Sequence, residues 1–209
     1  MSIQQLAWVF ATFLGPSACG TMQTGLPKLS DVLNGAMKTQ TAVAIDADML
    51  RASLTPQVLA QAETRLLILE VPTRDAVAVL SLVNTNQGVD TYLTADGVSI
   101  SLQDGIVVAT GGFGFDLMTA EISETLAALK QGSTSAVRIH RYLDGENHTH
   151  LRSFVCDVTV QRNLSAVEIC HSATFSFENS YNFNDNGFIV ESHQWVSTEI
   201  GPVRINILN

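Results

Sequence analysis

Residues 89–110 read VDTYLTADGVSISLQDGIVVAT, and this stretch decides the fold. Val98, Ile100 and Leu102 alternate with serines, the period-two pattern of a half-buried strand. Asp96-Gly97 stands before that strand and Asp104-Gly105 after it. Asp-Gly between alternating apolar runs is a strong hairpin signal, because both residues tolerate the positive φ of a tight turn. Two such turns, eight residues apart, leave no room for a crossover helix. The unit predicted is an antiparallel meander and not a parallel βαβ repeat.

The same language runs outward in both directions. Residues 65–71 (RLLILEV) and 76–83 (AVAVLSLV) are strand-like and flank the turn signal Pro72-Thr73-Arg74-Asp75. Further strands are predicted over 136–143, 151–160, 165–177, 180–184, 188–196 and 202–208. Residues 165–177 read as one long strand with Val167, Ile169, Phe175 and Phe177 on its core face and Glu168, Thr174 and Ser176 on its wet face. Asp185-Asn186-Gly187 marks another hairpin. Three short helices are predicted: over 29–38, after the Thr55-Pro56 start signal with Val58 and Leu59 buried, and over 119–130. The fold class is mainly β, an antiparallel β-sandwich or irregular β-barrel with two or three short peripheral helices.

The 209 residues carry 20 Asp+Glu against 11 Lys+Arg, a net charge of −9, with 46% hydrophobic and 15% charged residues. That composition supports a real core and excludes a disordered chain. No Lys/Arg cluster is present to neutralise phosphates, so nucleic acid is excluded as a partner.

Residues 6–14 form an apolar run, followed by small residues and then Cys19. This is the order of a secretory signal peptide, though no Lys or Arg precedes the run and Pro16 stands near its end. The organisation expected is a signal peptide over 1–18, a linker over 19–28 and a single β-rich domain over 29–209, with Cys19 the site of lipid attachment. The alternative is an apolar element packed on the core, with Cys19 a buried thiol.

Chemistry-bearing motifs are sparse. The glycines of TGGFGFDL (residues 110–117) lack nucleotide-loop spacing and a phosphate-binding Lys, so they read as a turn or bulge. His148 and His150 in ENHTH read as a solvated turn and not a metal site. Asp116, Asp157 and Glu168 are the carboxylates weighed for glycan cleavage, but nothing in the sequence makes them face each other. No catalytic, metal or cofactor residue is assigned. Tyr181 and Trp195 are the candidate glycan or partner contacts, with Tyr181 the better candidate for exposure and Trp195 favouring the core.

Cys156 and Cys170 are centred on the turn residue Asn163, since 156 + 170 is twice 163. A symmetric hairpin with that centre sets the two cysteines directly opposite, with Val158 facing Glu168 and Val160 facing Ala166. Opposite residues lie within disulfide reach, so a Cys156–Cys170 bond is predicted if the chain meets an oxidising compartment. A bulge, or a reducing compartment, would leave two thiols.

The ending, SYNFNDNGFIVESHQWVSTEIGPVRINILN (residues 180–209), resembles the C-terminus of the YjbF/GfcB family of group 4 capsule and exopolysaccharide lipoproteins. The resemblance rests there on Asp185, Gly187, Gln194, Trp195, Gly201 and the apolar strand 203–208. Residues 92–117 resemble the family's middle block through Asp96, Gly97, Leu102, Gly105, Thr110, Gly112, Gly114, Asp116 and Leu117. Cys19 takes the place of its lipid-bearing cysteine. The resemblance implies a lipoprotein of the outer membrane facing the periplasm, or a periplasmic protein. It would assist exopolysaccharide or capsule secretion or assembly. Its partners would be the exopolysaccharide or an export-system protein, with the membrane reached through a lipid anchor. The alternative is a periplasmic carbohydrate-active enzyme or polysaccharide-modifying factor.

Overall fold

The structure, a computed structural model, describes residues 47–208 apart from positions 133, 144, 145 and 147. The expected signal peptide, Cys19, the linker and the 29–38 helix lie outside the described residues. Two short helices, α1 (Ala47–Ser53) and α2 (Pro56–Ala60), precede the sheet. Thr55 caps α2 as the sequence indicated, its hydroxyl accepting from Val58 N. Val58 remains 44% exposed, and Leu59 is only half-buried, so this helix adds little to the core.

The strands are β1 (Leu66–Val71), β2 (Ala76–Asn86), β3 (Val89–Leu93), β4 (Ser99–Gln103), β5 (Ile106–Gly111) and β6 (Leu117–Glu121). After α3 (Ser123–Gln131) come β7 (Thr134–Leu143), β8 (Thr149–Gln161), β9 (Ser165–His171), β10 (Ser176–Phe183), β11 (Ile189–Ser197) and β12 (Gly201–Leu208). They form one 12-stranded antiparallel sheet in the order β5-β4-β3-β2-β1-β12-β11-β10-β9-β8-β7-β6. The first and last strands of the described residues pair, Leu67 opposite Ile207. The sheet's two edges, β5 and β6, are consecutive in sequence and lie against each other. The result is an irregular, nearly closed barrel, one of the two architectures expected.

The Asp-Gly turn between β4 and β5 behaves as predicted. Asp104 and Gly105 have φ of 49° and 85°, the two positive values of the mirror-image turn whose twist suits a hairpin. Where β5 passes to β6, the glycine-rich loop winds about one carboxylate. Asp116 accepts from the backbone N–H of Gly112, Phe113 and Gly114 and from Thr110 Oγ1. Thr110 Oγ1 in turn accepts from Leu117 N at 3.0 Å, stitching the two edge strands. Across the barrel, the buried Gln194 of β11 accepts from Val107 N at 2.9 Å and donates to Gly105 O at 2.8 Å. One side-chain amide thus ties the opposite walls together.

Two sequence expectations are corrected. Residues 119–121, expected in a helix, belong to strand β6, in which Leu117 is fully buried and Met118 is exposed. Helix α3 begins at Ser123, whose N–H is taken by the Glu121 carboxylate, a local device that ends the strand and starts the helix. Residues 165–177 are two strands. The backbone doubles back over residues 172–175, closed by Ser172 N donating to Phe175 O at 2.8 Å, without Gly or Pro to announce it.

The faces of β9 are also opposite to expectation. Glu168 is fully buried, whereas Ile169 is 39% exposed. The cause is parity: Cys170 must share the inner face with Cys156, and residues two apart in a strand share a face. Cys156 and Cys170 lie directly opposite and are joined, with Cα atoms 3.9 Å apart. Val158 opposes Glu168 and Val160 opposes Ala166, the register the sequence arithmetic predicted.

Candidate functional site

The strands alternate in direction, so the barrel has two distinct ends. The β2–β3, β4–β5, β8–β9 and β10–β11 turns share one end with α3. That helix presses Ala128 against Ala136 and Val158 and directs Thr125 into the interior. An open apolar groove of about 480 Å³ lies beside it, between Leu126 and Leu129 and the hairpin tips bearing Leu164 and Phe188. The opposite end carries the β7–β8, β9–β10 and β11–β12 turns.

Inside, β7 to β10 converge on a buried polar cluster. Glu168 accepts from Arg138 Nη1, Asn179 Nδ2 and Tyr181 OH at 2.7 Å each, and from Thr125 Oγ1 at 2.8 Å. Arg138 is 1% exposed. Burial pushes the Glu168 carboxyl upward, but the guanidinium and the neutral donors outweigh it and hold the group below its ordinary range. Asn179 extends the cluster, its carbonyl accepting from Trp195 N at 2.7 Å.

His140 continues the chain of bonds. Arg138 Nε donates to His140 Nε2 at 3.3 Å, so that nitrogen is an acceptor and the proton resides on Nδ1. Nδ1 donates to Tyr142 OH at 2.9 Å, and Tyr142 OH donates to Val196 O at 2.6 Å. Burial, then the neighbouring Arg138 charge, holds His140 well below its ordinary pKa, so the imidazole is neutral. Its ring stacks on Trp195 at 5.8 Å, and Trp195 stacks on Phe177 at 4.6 Å and leans on Phe175 at 4.9 Å. Among the described residues no buried side-chain nitrogen or oxygen lacks a hydrogen-bond partner. This is a satisfied polar-aromatic core, which rigidifies the barrel.

The residues singled out from the sequence now have places. Tyr181 is fully buried, with its hydroxyl on Glu168, which corrects the expectation that it is exposed. The inward parity of β10 and the need to satisfy Glu168 put it there. Trp195 is 6% exposed and packs in the core. Next to Trp195, at 4.9 Å, the Phe175 ring is only half-buried. The three weighed carboxylates are not brought together. Asp116 holds its loop, Glu168 is inside, and Asp157 faces outward from β8. Ligand atoms of Cys156, Cys170 and Glu168 lie within 4.8 Å of one another, but both sulfurs are spent in the disulfide and Glu168 in the Arg138 pair. His148 and Glu146 lie 3.7 Å apart on the exposed β7–β8 turn.

A second cavity of about 410 Å³ opens at the end away from α3, between β8 and the β9–β10 turn. Its wall includes Arg152, Ser153, Ser172, Thr174 and Phe175. Arg152 holds its guanidinium carbon 5.8 Å from the centroid of the Tyr142 ring. Burial pushes the Tyr142 phenol well above its ordinary pKa, so the ring is neutral beside this cation. Sequence reading missed this site because Thr174 and Phe175 were assigned to opposite faces of an unbroken strand.

The family profile described as group 4 capsule polysaccharide lipoprotein gfcB, YjbF, matches residues 37–208. No curated protein matches the chain. Among solved structures, the crystal structure of the hypothetical lipoprotein YmcC from Escherichia coli K12 is similar with a TM-score of 0.61 at 14% identity. The alignment covers 78% of this chain and 94% of that one, and it shows a shared fold. With the family profile spanning the whole barrel, the chain belongs to the YjbF family of group 4 capsule polysaccharide lipoproteins.

Proposed function

We propose that this protein is a non-catalytic envelope lipoprotein that assists secretion or assembly of capsule or exopolysaccharide, and that it works by binding. Family membership supports the capsule-related role. The observation that carries the non-catalytic reading is the state of the carboxylates. Glycoside cleavage needs two carboxyl groups flanking one bond, about 5–10 Å apart in an accessible cleft. Here Glu168 is sealed inside under four donors, Asp116 is committed to its loop, and Asp157 faces solvent on the outer surface.

The reading extends to location. Acyl chains on Cys19 anchor the protein at the outer membrane, and the barrel faces the periplasm. The buried Cys156–Cys170 disulfide supports export, because such bonds persist in oxidising compartments. The decisive experiment is deletion in the native host, with complementation by wild type and by Cys19→Ala. Loss of surface polysaccharide, restored by wild type and poorly by the anchorless form, is the expected result. Release of new reducing ends when purified protein meets the host's polysaccharide would overturn the non-catalytic reading. Unchanged surface polysaccharide in the deletion strain would overturn the capsule role.

A further inference from the structure

We infer that the cavity between β8 and the β9–β10 turn binds a sugar bearing a carboxylate, a uronic acid or its like. The inference rests on the binding role proposed above and names its ligand class. Arg152 supplies the charge recognition. It stands on the inward-facing register of β8, beside Phe154, yet it is exposed because it lies near the open end of the barrel. Among the described residues no carboxylate pairs with it, and its guanidinium lies over the Tyr142 ring. An unpaired guanidinium set against an aromatic face keeps its fork of N–H donors available. That fork matches a carboxylate in a planar, two-bond geometry.

Phe175 supplies the second element. Its ring is half-buried, held from behind by Trp195 at 4.9 Å and flanked by Phe177 at 6.0 Å and Phe154 at 6.4 Å. A ring clamped this way loses little freedom on binding, so it is a preorganised platform. The apolar C–H face of a pyranose packs on such a ring while its hydroxyls point aside. The hydroxyl-bearing residues Ser153, Ser172 and Thr174 stand on the same wall. Ser172 Oγ already donates to Phe175 O at 3.0 Å, which leaves its lone pairs to accept from a sugar hydroxyl. The cavity volume of about 410 Å³ falls in the range of small-ligand sites. The chain's net charge of −9 disfavours general attraction of a polyanion, so recognition here is local and short-ranged.

The test is titration of the purified protein, followed by amide chemical shifts, with a hyaluronan tetrasaccharide as the uronate-containing probe. The matched probe is the same tetrasaccharide with its carboxylates reduced to alcohols; acetate and maltotetraose complete the set. Shifts centred on residues 152–154 and 172–175 with the uronate probe, weakened about tenfold or more by carboxylate reduction, support the site. R152Q should weaken binding by about the same factor, R152K by less, and F175A should weaken it while a dispersed amide spectrum shows that the barrel is still folded. Equal binding of maltotetraose, saturation by acetate with equal affinity, or wild-type affinity in R152Q would each overturn the inference. So would the absence of shifts with all four probes. Failure here leaves the capsule role intact if the deletion strain loses its polysaccharide. Conversely, uronate binding with an unchanged deletion strain overturns that role and not the site.

Discussion

Replacing Glu168 by Gln tests the reading of the barrel interior. The side chain keeps its size, but one acceptor oxygen becomes an NH2 group among groups that already donate: Arg138, Asn179, Tyr181 and Thr125. The charge opposite Arg138 also disappears. A guanidinium does not lose its proton, so a cation that is 1% exposed is left without its counter-charge. Breaking a buried pair from one side costs about 3–5 kcal/mol. For a domain of this size that is a melting temperature lower by roughly 6–20 °C. The assay is urea unfolding under non-reducing conditions, where a shifted midpoint with an unchanged slope reports stability alone. Replacing both partners, R138M with E168M, should recover much of the loss, because no charge is then stranded. A loss below about 1 kcal/mol for E168Q, the scale of a surface pair, would refute the argument. The acid limb offers a check on sign. Burial raises the Glu168 carboxyl, but Arg138 and the donors lower it further, so its folded pKa lies below its unfolded one. Its contribution is therefore complete above the unfolded value near 4.3 and is lost as pH falls through the folded value. E168Q should lack that part of the acid limb.

Three other outcomes are expected. His140 should titrate well below an ordinary imidazole, and stability should decline as pH falls below about 6.5, where the unfolded chain takes a proton that folded His140 refuses; a midpoint near 6.5 for this ring would refute its placement. Protein isolated from native envelopes should show no alkylatable thiol at Cys156 or Cys170, and removing the bond, which spans a sequence separation of 14, should lower stability by about 3 kcal/mol; free thiols at both positions would remove the bond from the account. Gly105→Ala should cost more than Gly97→Ala, because both have positive φ but only at Gly105 does a Cβ meet Ile189 Cβ at 2.6 Å; equal losses would mean that the clash relaxes freely.

The hairpins were legible in the sequence because their causes are local. Asp104-Gly105 needs nothing but its own backbone, and the disulfide register follows from the symmetry of one turn. What escaped reading depended on partners far along the chain. By apolar content, β9 should bury Val167 and Ile169, yet it buries Ala166, Glu168 and Cys170. A carboxylate faces inward only because Arg138, 30 residues earlier, and Tyr181, 13 later, meet it there. Tyr181 was misplaced for the same reason. The β9–β10 turn lacks Gly, Pro and Asn, so Phe175 was read as a core residue and the cavity beside it had no trace in the pattern. Helix α3 was anticipated four residues too early because Glu121, taken as a favourable first-turn acid, is instead the acceptor that terminates β6.

The pairing of the first strand with the last has a kinetic meaning. Every other strand pair in the sheet joins sequence neighbours, through a short connection or, for β6 and β7, through helix α3, but Leu67 meets Ile207 across 140 residues. That closure is the longest in the fold and costs more entropy than any single hairpin, and non-local pairing of this kind slows folding. A chain that emerges amino terminus first presents β1, an almost wholly apolar strand, long before β12. Until then β1 has one unpaired edge, a template for association with other chains. A stop codon that removed only the last strand would open two edges at once, on β1 and on β11. The eight residues of β12 therefore act as the clasp of the whole barrel.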